Sequence, residues 1–236
     1  MLLVFGVCGA IVSVLLSGSR GGVISVVVEM ALLGALLWKW KEIRLPHQRG
    51  TMGVLGAAVA GALFLVIIPW GTWQHLSTVE GLARTPDVTL GNRLAVSRDA
   101  LAELRDYPWL GTGLGSFESV FPQYQTFPTE LVWNHAHDDY VEALTEAGAV
   151  GGLIMLLALL LFARLAFRNF PERLKSPRGW VQLGAGLGCC GLLVHSFADF
   201  NLHIPANAAW FAVCVGLSTV PGSAERVREM PVGSSH

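Results

Sequence analysis

Two histidines and four acidic residues stand close together between Trp133 and Gly152, in WNHAHDDYVEALTEAGAVGG, at the edge of an apolar stretch. These residue types allow three kinds of chemistry. Asp138 and Asp139 can open a helix, because the N-terminal dipole favours negative charge, and the cluster is then merely solvated. The histidines can bind a metal together with a nearby aspartate. An imidazole can also act as a general base, since it titrates near neutral pH and can accept a proton from a sugar hydroxyl.

A metal site is the least supported of the three. His135 and His137 are two residues apart and supply too few ligands, and the sequence offers no HExxH motif or cysteine partner for them. We therefore predict no metal and no cofactor. The four cysteines all fall within apolar runs and are expected to be buried as small hydrophobic residues.

A second polar cluster lies further along the chain, in HSFADFNLHIPAN. It contains His195, Asp199, Asn201 and His203 between two apolar stretches. These side chains either line the same cavity as the first cluster or simply end two helices.

Two arginines are candidates for binding an anion. Arg20 lies in SGSRGG, where the small neighbours leave a guanidinium uncovered, and its planar fork matches phosphate oxygens. The alternative is an arginine that snorkels at the membrane edge. Arg93 begins a predicted helix, where a cation opposes the helix dipole, so it either binds an anion or is an ordinary surface residue. The glycines of GTGLG, without a following Lys-Ser or Lys-Thr pair, indicate a turn.

The composition is that of a membrane protein. Of the 236 residues 53% are apolar and 14% are charged, with a mean hydropathy of +0.52, whereas soluble domains carry about 25% charged residues. Six segments are long enough, or nearly so, to cross a bilayer. They are Leu2–Leu16, Gly22–Trp38, Thr51–Trp70, Gly148–Phe167, Trp180–Phe197 and Pro205–Val220. The first lacks the basic start and cleavage site of a signal peptide, so we read it as a span.

Lysine and arginine in the loops predict the orientation of these spans. The loops KWKEIRLPHQRG and RLAFRNFPERLKSPRG carry four and five cations with one acid each, and are expected in the cytoplasm. The segment 71–147 carries eleven acids and four arginines, and is expected outside. We thus predict an all-α, polytopic membrane domain over residues 1–220, with the long outer loop at 71–147. The tail at 221–236 is predicted to be cytoplasmic and disordered.

Within the outer loop the sequence predicts two helices. Asn92 resembles an N-cap for a helix that runs to about Asp106 and ends before Pro108. Leu94, Leu101 and Leu104 are expected on one face of it. The second, shorter helix is expected to start near His137 and to end at Gly148.

Taken together, these residues resemble the O-antigen ligase/polymerase family of bacterial membrane glycosyltransferases. The outer-loop signature of that family is a histidine, usually followed by Asn, Ser or Gln, then nine residues and a Gly-x-x-Gly pair. His137, Gly148 and Gly151 match it, and Asp138 departs from it at the second position. The SRGG turn, the NR pair followed by DYPWLGTGLGSF, and DFNLHIPANA also resemble the family in the same order. The resemblance covers nearly the whole chain.

The resemblance implies transfer of a glycan from a polyprenyl-diphosphate carrier to an acceptor hydroxyl at the outer face of the bacterial cytoplasmic membrane. The acceptor would be lipid A core, a growing polysaccharide or a protein, and nucleic acid is not an expected partner. Arg20 and Arg93 would bind the diphosphate and His137 would activate the acceptor. The residues expected to support them are Asp138, His135, Asp199 and His203. Family members usually have more spans, so we expect this chain to be the C-terminal half of the usual plan, with Met1 an internal start or the chain a fragment.

Two other functions remain open at this point. In a membrane transporter or channel subunit, Glu29, Arg20 and the outer histidines would line a pathway, but transporters favour more ionisable residues within the spans than Glu29 alone. The chain can also be an inactive scaffold or fragment of a split glycosyltransferase.

Overall fold

The computed structural model describes residues 13–14, 17, 19–39, 90–128, 132–168 and 170–221, and this part of the chain is helical with no strand. The predicted span at Thr51–Trp70, nearly all of the one at Leu2–Leu16 and the tail beyond residue 221 lie outside the described residues. The side chain of Arg20 does so as well. The all-α prediction is confirmed for the part that is described.

Eight α-helices follow one another in the described residues, and two short 3-10 helices lie at Phe121–Gln123 and Asn201–His203. The α-helices are α1 (Arg20–Lys39), α2 (Leu90–Ala100), α3 (Glu103–Asp106), α4 (Phe117–Val120), α5 (Asp139–Phe167), α6 (Phe170–Arg173), α7 (Pro177–His195) and α8 (Pro205–Thr219).

The apolar helices pack around α7, which contacts α1 on one side and α8 on another, while α5 contacts both α7 and α8. The predicted spans at Gly22–Trp38, Gly148–Phe167, Trp180–Phe197 and Pro205–Val220 fall on α1, α5, α7 and α8 respectively. Their helical state is therefore confirmed.

Only α5, among the described residues, is long and apolar enough by itself to cross a membrane, and the apolar stretch Gly21–Leu36 in α1 is shorter. The apolar window of α5 is mostly exposed, with leucines at positions 153, 156, 157, 160 and 161 open to the surroundings. A core helix of a soluble protein would instead bury such residues. The exposed surface of α5 is thus the part of the fold that suits a lipid environment.

Arg173 joins the ends of two apolar helices. It is buried and donates from Nη1 to the carbonyl oxygen of Ser218, in the last turn of α8, at 2.9 Å and to that of Ala166, in α5, at 3.4 Å. Carbonyl groups in the last turn of a helix lack partners within the helix and carry partial negative charge. The arginine therefore satisfies backbone acceptors at the end of the bundle remote from the two polar clusters.

A small separate core holds together the described part of the loop 71–147. It consists of side chains from α2, α4, the first 3-10 helix and the segment before α5: Val96, Ala100, Phe117, Phe121, Trp133 and Ala136. Phe117 and Phe121 stack with their ring centroids 5.0 Å apart. This core joins the segment that carries the histidines to the helix that carries Arg93.

The prediction for the first loop helix was wrong in two respects. Asn92 lies inside α2 and does not cap it, and a tight turn after Ala100 separates α2 from α3. Leu94, on the predicted leucine face, is 63% exposed. The buried face instead carries Glu103, whose carboxylate has no hydrogen-bond partner among the described residues. Burial, with the nearby charge of Glu146, raises the pKa of Glu103 to about 7.

Helix α5 is broken at Gly148, as the sequence predicted. Gly148 has φ 64° and ψ −166°, a conformation that essentially only glycine adopts. The turn before α4 crosses the chain at this point, so that Ala149 and Val150 donate their backbone N–H groups to the carbonyls of Pro108 and Trp109. A Cβ atom on Gly148 would lie 2.5 Å from backbone atoms of Trp109. The glycine therefore allows both the break and the close approach.

We predict that Gly148→Ala destabilises the protein by more than about 3 kcal/mol, because it adds a backbone clash to the strain of a φ that alanine disfavours. Gly115 is the matched control, since it has φ 74° but open space around its Cβ position. Gly115→Ala should cost about 1–2 kcal/mol. Thermal unfolding of the two variants in the same detergent measures the difference, and equal melting temperatures would contradict the role given to the crossing.

Candidate active site

The first part of α5 sets the spacing of the first polar cluster. Asp138 has an extended backbone and is the N-cap, with its carboxylate accepting from the N–H groups of Tyr140 at 3.0 Å and Val141 at 3.1 Å. Burial raises its pKa. Nine residues of helix then lead from this cap to the break at Gly148. The departure at Asp138 is thereby explained, because Asp, Asn and Ser are all favoured N-cap residues.

His137 sits immediately before this cap with its ring held between two aromatic side chains. Its ring meets Trp133 edge-to-face at 5.8 Å and Phe200 at 5.0 Å, and its side chain is 18% exposed. Its φ of 54° is the one positive value at a non-glycine residue in the described part of the chain. The ring is therefore fixed in direction and still reachable from outside.

Asp199 faces the same ring from the turn that follows α7. Its Oδ1 lies 3.4 Å from His137 Nδ1, a contact longer than a good hydrogen bond. His137 Nδ1 is buried and makes no hydrogen bond within the described residues, so Asp199 is its nearest acceptor. The close approach of His137 lowers the pKa of Asp199, as do the backbone N–H of Phe200 and the charge of Arg93. A carboxylate at Nδ1 favours the tautomer with its proton on that nitrogen, which leaves Nε2 unprotonated and able to accept a proton.

Arg93 reaches the same turn from α2. Its Nη1 donates to the carbonyl oxygen of Ala198 at 2.9 Å, while its buried Nε has no hydrogen-bond partner among the described residues. Arg93 is also close enough to Asp199 for its charge to lower the pKa of that carboxyl group. The guanidinium group is thus anchored by one nitrogen and has donors left for a ligand.

The SRGG motif, whose last three residues begin α1, meets this turn from another direction. Ser19 Oγ lies 3.2 Å from His195 Nε2 and accepts from the N–H of Gly22 at 3.0 Å. A Cβ on Gly21 would lie 2.6 Å from the His195 ring and 3.2 Å from Cβ of Ala198. The backbone of Arg20, between Ser19 and Gly21, is therefore held against the residues that anchor Arg93.

The remaining predicted residues form a second group, next to His137 rather than around it. His135 stacks on Phe200 at 4.5 Å, and its Nδ1 lies 2.8 Å from Glu142 Oε1. His203 Nδ1 lies 2.7 Å from Asp139 Oδ1, and that hydrogen bond raises the pKa of His203. Phe200 separates the two groups, because it contacts both His135 and His137.

The structure thus brings most of the predicted site residues together, and the two polar clusters lie next to each other. The sequence prediction missed Asp139 and Glu142 as members of the second group, and Phe200 as the ring between the groups. A signal for the acids was available, since residues 139, 142 and 146 lie on one face of a helix that starts at Asp139. All three are buried.

The chain was also compared with known proteins. A family model described as O-antigen ligase matches residues 5–156, which is more than half of the chain. No curated protein was found to match it. The matched range includes Arg20, Arg93, His137 and Gly148, and it ends before the turn that carries Asp199.

Proposed function

This chain belongs to the O-antigen ligase family, and from that premise we propose that it transfers a glycan from a polyprenyl-diphosphate carrier to an acceptor hydroxyl. The family is one of glycosyltransferases of the bacterial inner membrane. The observation that carries the proposal is the meeting of His137, Asp199 and Arg93 at the single turn after α7. A base and an anchored cation at one place are what this reaction needs.

In the proposed reaction His137 is the general base. Its Nε2 accepts the proton of the acceptor hydroxyl as the oxygen attacks the anomeric carbon of the glycan. Asp199 positions the ring and stabilises the imidazolium that forms, because its lowered pKa keeps it ionised at neutral pH. As the new C–O bond forms, the bond from the anomeric carbon to the diphosphate breaks.

In the proposed reaction the two arginines, Arg20 and Arg93, stabilise the leaving group. The polyprenyl diphosphate departs with an additional negative charge on the oxygen that was bound to the sugar. Fixed positive charge at that position stabilises the transition state without a nucleotide cofactor. Arg93 has donors beyond the one that Ala198 uses, and Arg20 begins α1 beside the same turn.

The rest of the proposal concerns placement in the membrane. We place the four described apolar helices and the two predicted spans at Leu2–Leu16 and Thr51–Trp70 in the bilayer, as a six-span bundle. The loop 71–147 then lies outside and the tail 221–236 inside. The partners are the bilayer, the lipid-linked glycan and an acceptor on lipid A core, a growing polysaccharide or a protein.

The rival function, a transporter or channel subunit, depends most on Glu29. Its carboxylate packs directly against Gly191 of α7, where a Cβ atom would collide with it. This contact fits a packing role between two helices, so it gives no support to a transport pathway. A third possibility is that the chain is an inactive scaffold. It would have the same fold, and only the absence of glycan transfer would distinguish it.

The direct test uses the purified chain in proteoliposomes with a polyprenyl-diphosphate-linked oligosaccharide and a lipid A core acceptor. We expect the acceptor to gain the mass of the glycan while free polyprenyl diphosphate appears in equal amount. A transporter would move the glycan lipid without either change. Absence of both products with each of the three acceptor classes would contradict the proposal.

The orientation can be tested separately. Fusions of a reporter after Arg44 and after Arg173 should give a cytoplasmic signal, because the basic loops are expected inside. A fusion at Gln125 should give an exported signal. A cytoplasmic signal at Gln125 would place the candidate site on the wrong side of the membrane for the proposed donor.

A further inference from the structure

Three side chains beside His137 have the composition and spacing of a metal site. Potential ligand atoms of His135, Glu142 and His203 all lie within 4.8 Å of one another. Glu142 Oε1 is at their centre, 2.8 Å from His135 Nδ1 and 3.3 Å from His203 Nε2. Ligand atoms about 2.0–2.2 Å from a tetrahedral ion lie roughly 3.3 Å from each other, so only small movements would be needed to admit one.

Each of two ligand side chains is oriented by a further contact. His203 turns Nδ1 to Asp139 Oδ1 at 2.7 Å, so that its Nε2 faces Glu142. Asp139 is itself fixed by the N–H of Leu202, which donates to Oδ2 at 3.0 Å. A carboxylate behind a histidine, which sets its tautomer and raises its basicity, is the usual arrangement around metal-binding histidines.

Glu142 is fixed in the same way. The backbone N–H of Ala136 donates to its Oε2 at 2.8 Å, and this leaves Oε1 for the two histidines. Its side chain is 2% exposed and that of Asp139 is 5% exposed. In the described part of the chain the polar partners of both carboxylates are histidine rings and backbone N–H groups. Two buried negative charges without a fixed cation are costly unless a positive ion or proton is held between them.

We infer that His135 Nδ1, Glu142 Oε1 and His203 Nε2 bind a divalent transition metal, with Zn²⁺ the ion that suits a His₂Glu set best. Imidazole and carboxylate ligands in this number leave a fourth position open. The two histidine side chains are 33% and 30% exposed, so the open position is reachable from the outer surface. From the sequence no metal was predicted, and the ligand set considered there was His135, His137 and a nearby aspartate. Phe200 separates His137 from the present trio.

The ion would link three segments of the chain. His135 belongs to the segment before α5, Glu142 to α5 and His203 to the 3-10 helix after α7. His135 is two residues from His137, and both rings contact Phe200. A bound ion would therefore fix the segment that carries the candidate base against the turn that carries Asp199. This inference concerns binding and does not depend on the proposed reaction.

The test is a titration of the full chain with Zn²⁺ alone. The chain is first purified in detergent without a polyhistidine tag and stripped of metal with a chelator. We expect saturable binding of one ion per chain. His135→Gln and His203→Gln should each weaken binding at least about 100-fold, and Asp139→Asn about 10–100-fold. His137→Ala is the matched control and should bind as the wild type does. Co²⁺ in place of Zn²⁺ should give the visible bands of a four-coordinate or five-coordinate site with nitrogen and oxygen ligands.

The outcomes separate cleanly. Absence of saturable Zn²⁺ binding by the wild-type chain would overturn the inference, whatever the variants do. Equal affinity in the wild type and both glutamine variants would place the ion elsewhere and overturn it as well. Equal loss in His137→Ala would instead favour the trio that includes His137, and would also overturn it. Circular dichroism of each variant confirms that a lost site is not a lost fold.

Discussion

Replacing His137 with alanine is expected to lower the rate of glycan transfer by about 10²–10⁴-fold, the usual contribution of a general base. The variant loses the only group in the described site that faces Asp199 with a ring nitrogen, so the acceptor hydroxyl keeps its proton. The rate of transfer to acceptor, measured at matched amounts of protein in the membrane, tests this. If His137→Ala kept wild-type activity, the polar cluster would be only the solvated start of a helix.

His135→Ala is the comparison that distinguishes the base from a metal role. We expect a smaller loss, because His135 acts on the candidate base only indirectly, through Phe200 and through the segment that the inferred ion would fix. Equal losses in both variants, together with equal sensitivity to chelator, would remove the base assignment from His137.

Replacing Arg93 with lysine is expected to lower transfer by about 10²-fold, although the charge is kept. The arginine uses one nitrogen to hold the carbonyl of Ala198 and has further donors for the diphosphate. A lysine carries all its donors on one atom and cannot both keep the anchor and present a planar fork to the phosphate oxygens. Arg20→Lys should behave in the same way.

Arg98→Lys is the matched control for this substitution. Arg98 lies on the same helix, its side chain is 70% exposed, and it pairs with Asp99 and Thr126 away from the turn. The transfer rate of Arg98→Lys should stay within twofold of the wild-type rate. The lysine variants of Arg20, Arg93 and Arg98 should all insert and fold normally. If Arg93→Lys retains full turnover, Arg93 is a surface residue that happens to contact Ala198.

The parts of the structure that the sequence predicted well are those governed by local rules. Apolar runs of sufficient length predicted four of the described helices, because a continuous apolar stretch has few other stable conformations in a membrane. The break at Gly148 was also predictable, since a glycine after a short polar helix marks a boundary. Neither rule needs knowledge of which segments meet.

The parts that were missed depend on long-range contacts. The loop core around Phe117 and Phe121 was not predicted, because its members come from distant segments. The group of His135, Glu142 and His203 likewise joins residues that are 61 positions apart, His203 and Glu142. Spacing along one helix could have predicted that Asp139 and Glu142 share a face. It could not have predicted that the 3-10 helix with His203 lies next to that face.

His137 combines an unfavourable left-handed backbone conformation with the ring that is proposed to act as the base. A histidine at φ 54° costs roughly 1–2 kcal/mol that glycine would not. His137→Gly relieves this strain but loses the ring contacts with Trp133 and Phe200, so its stability should change little while it fails to transfer. In a library sorted once for thermal resistance and once for glycan transfer, only the second selection should demand histidine at this position, because transfer and not folding requires the ring nitrogen.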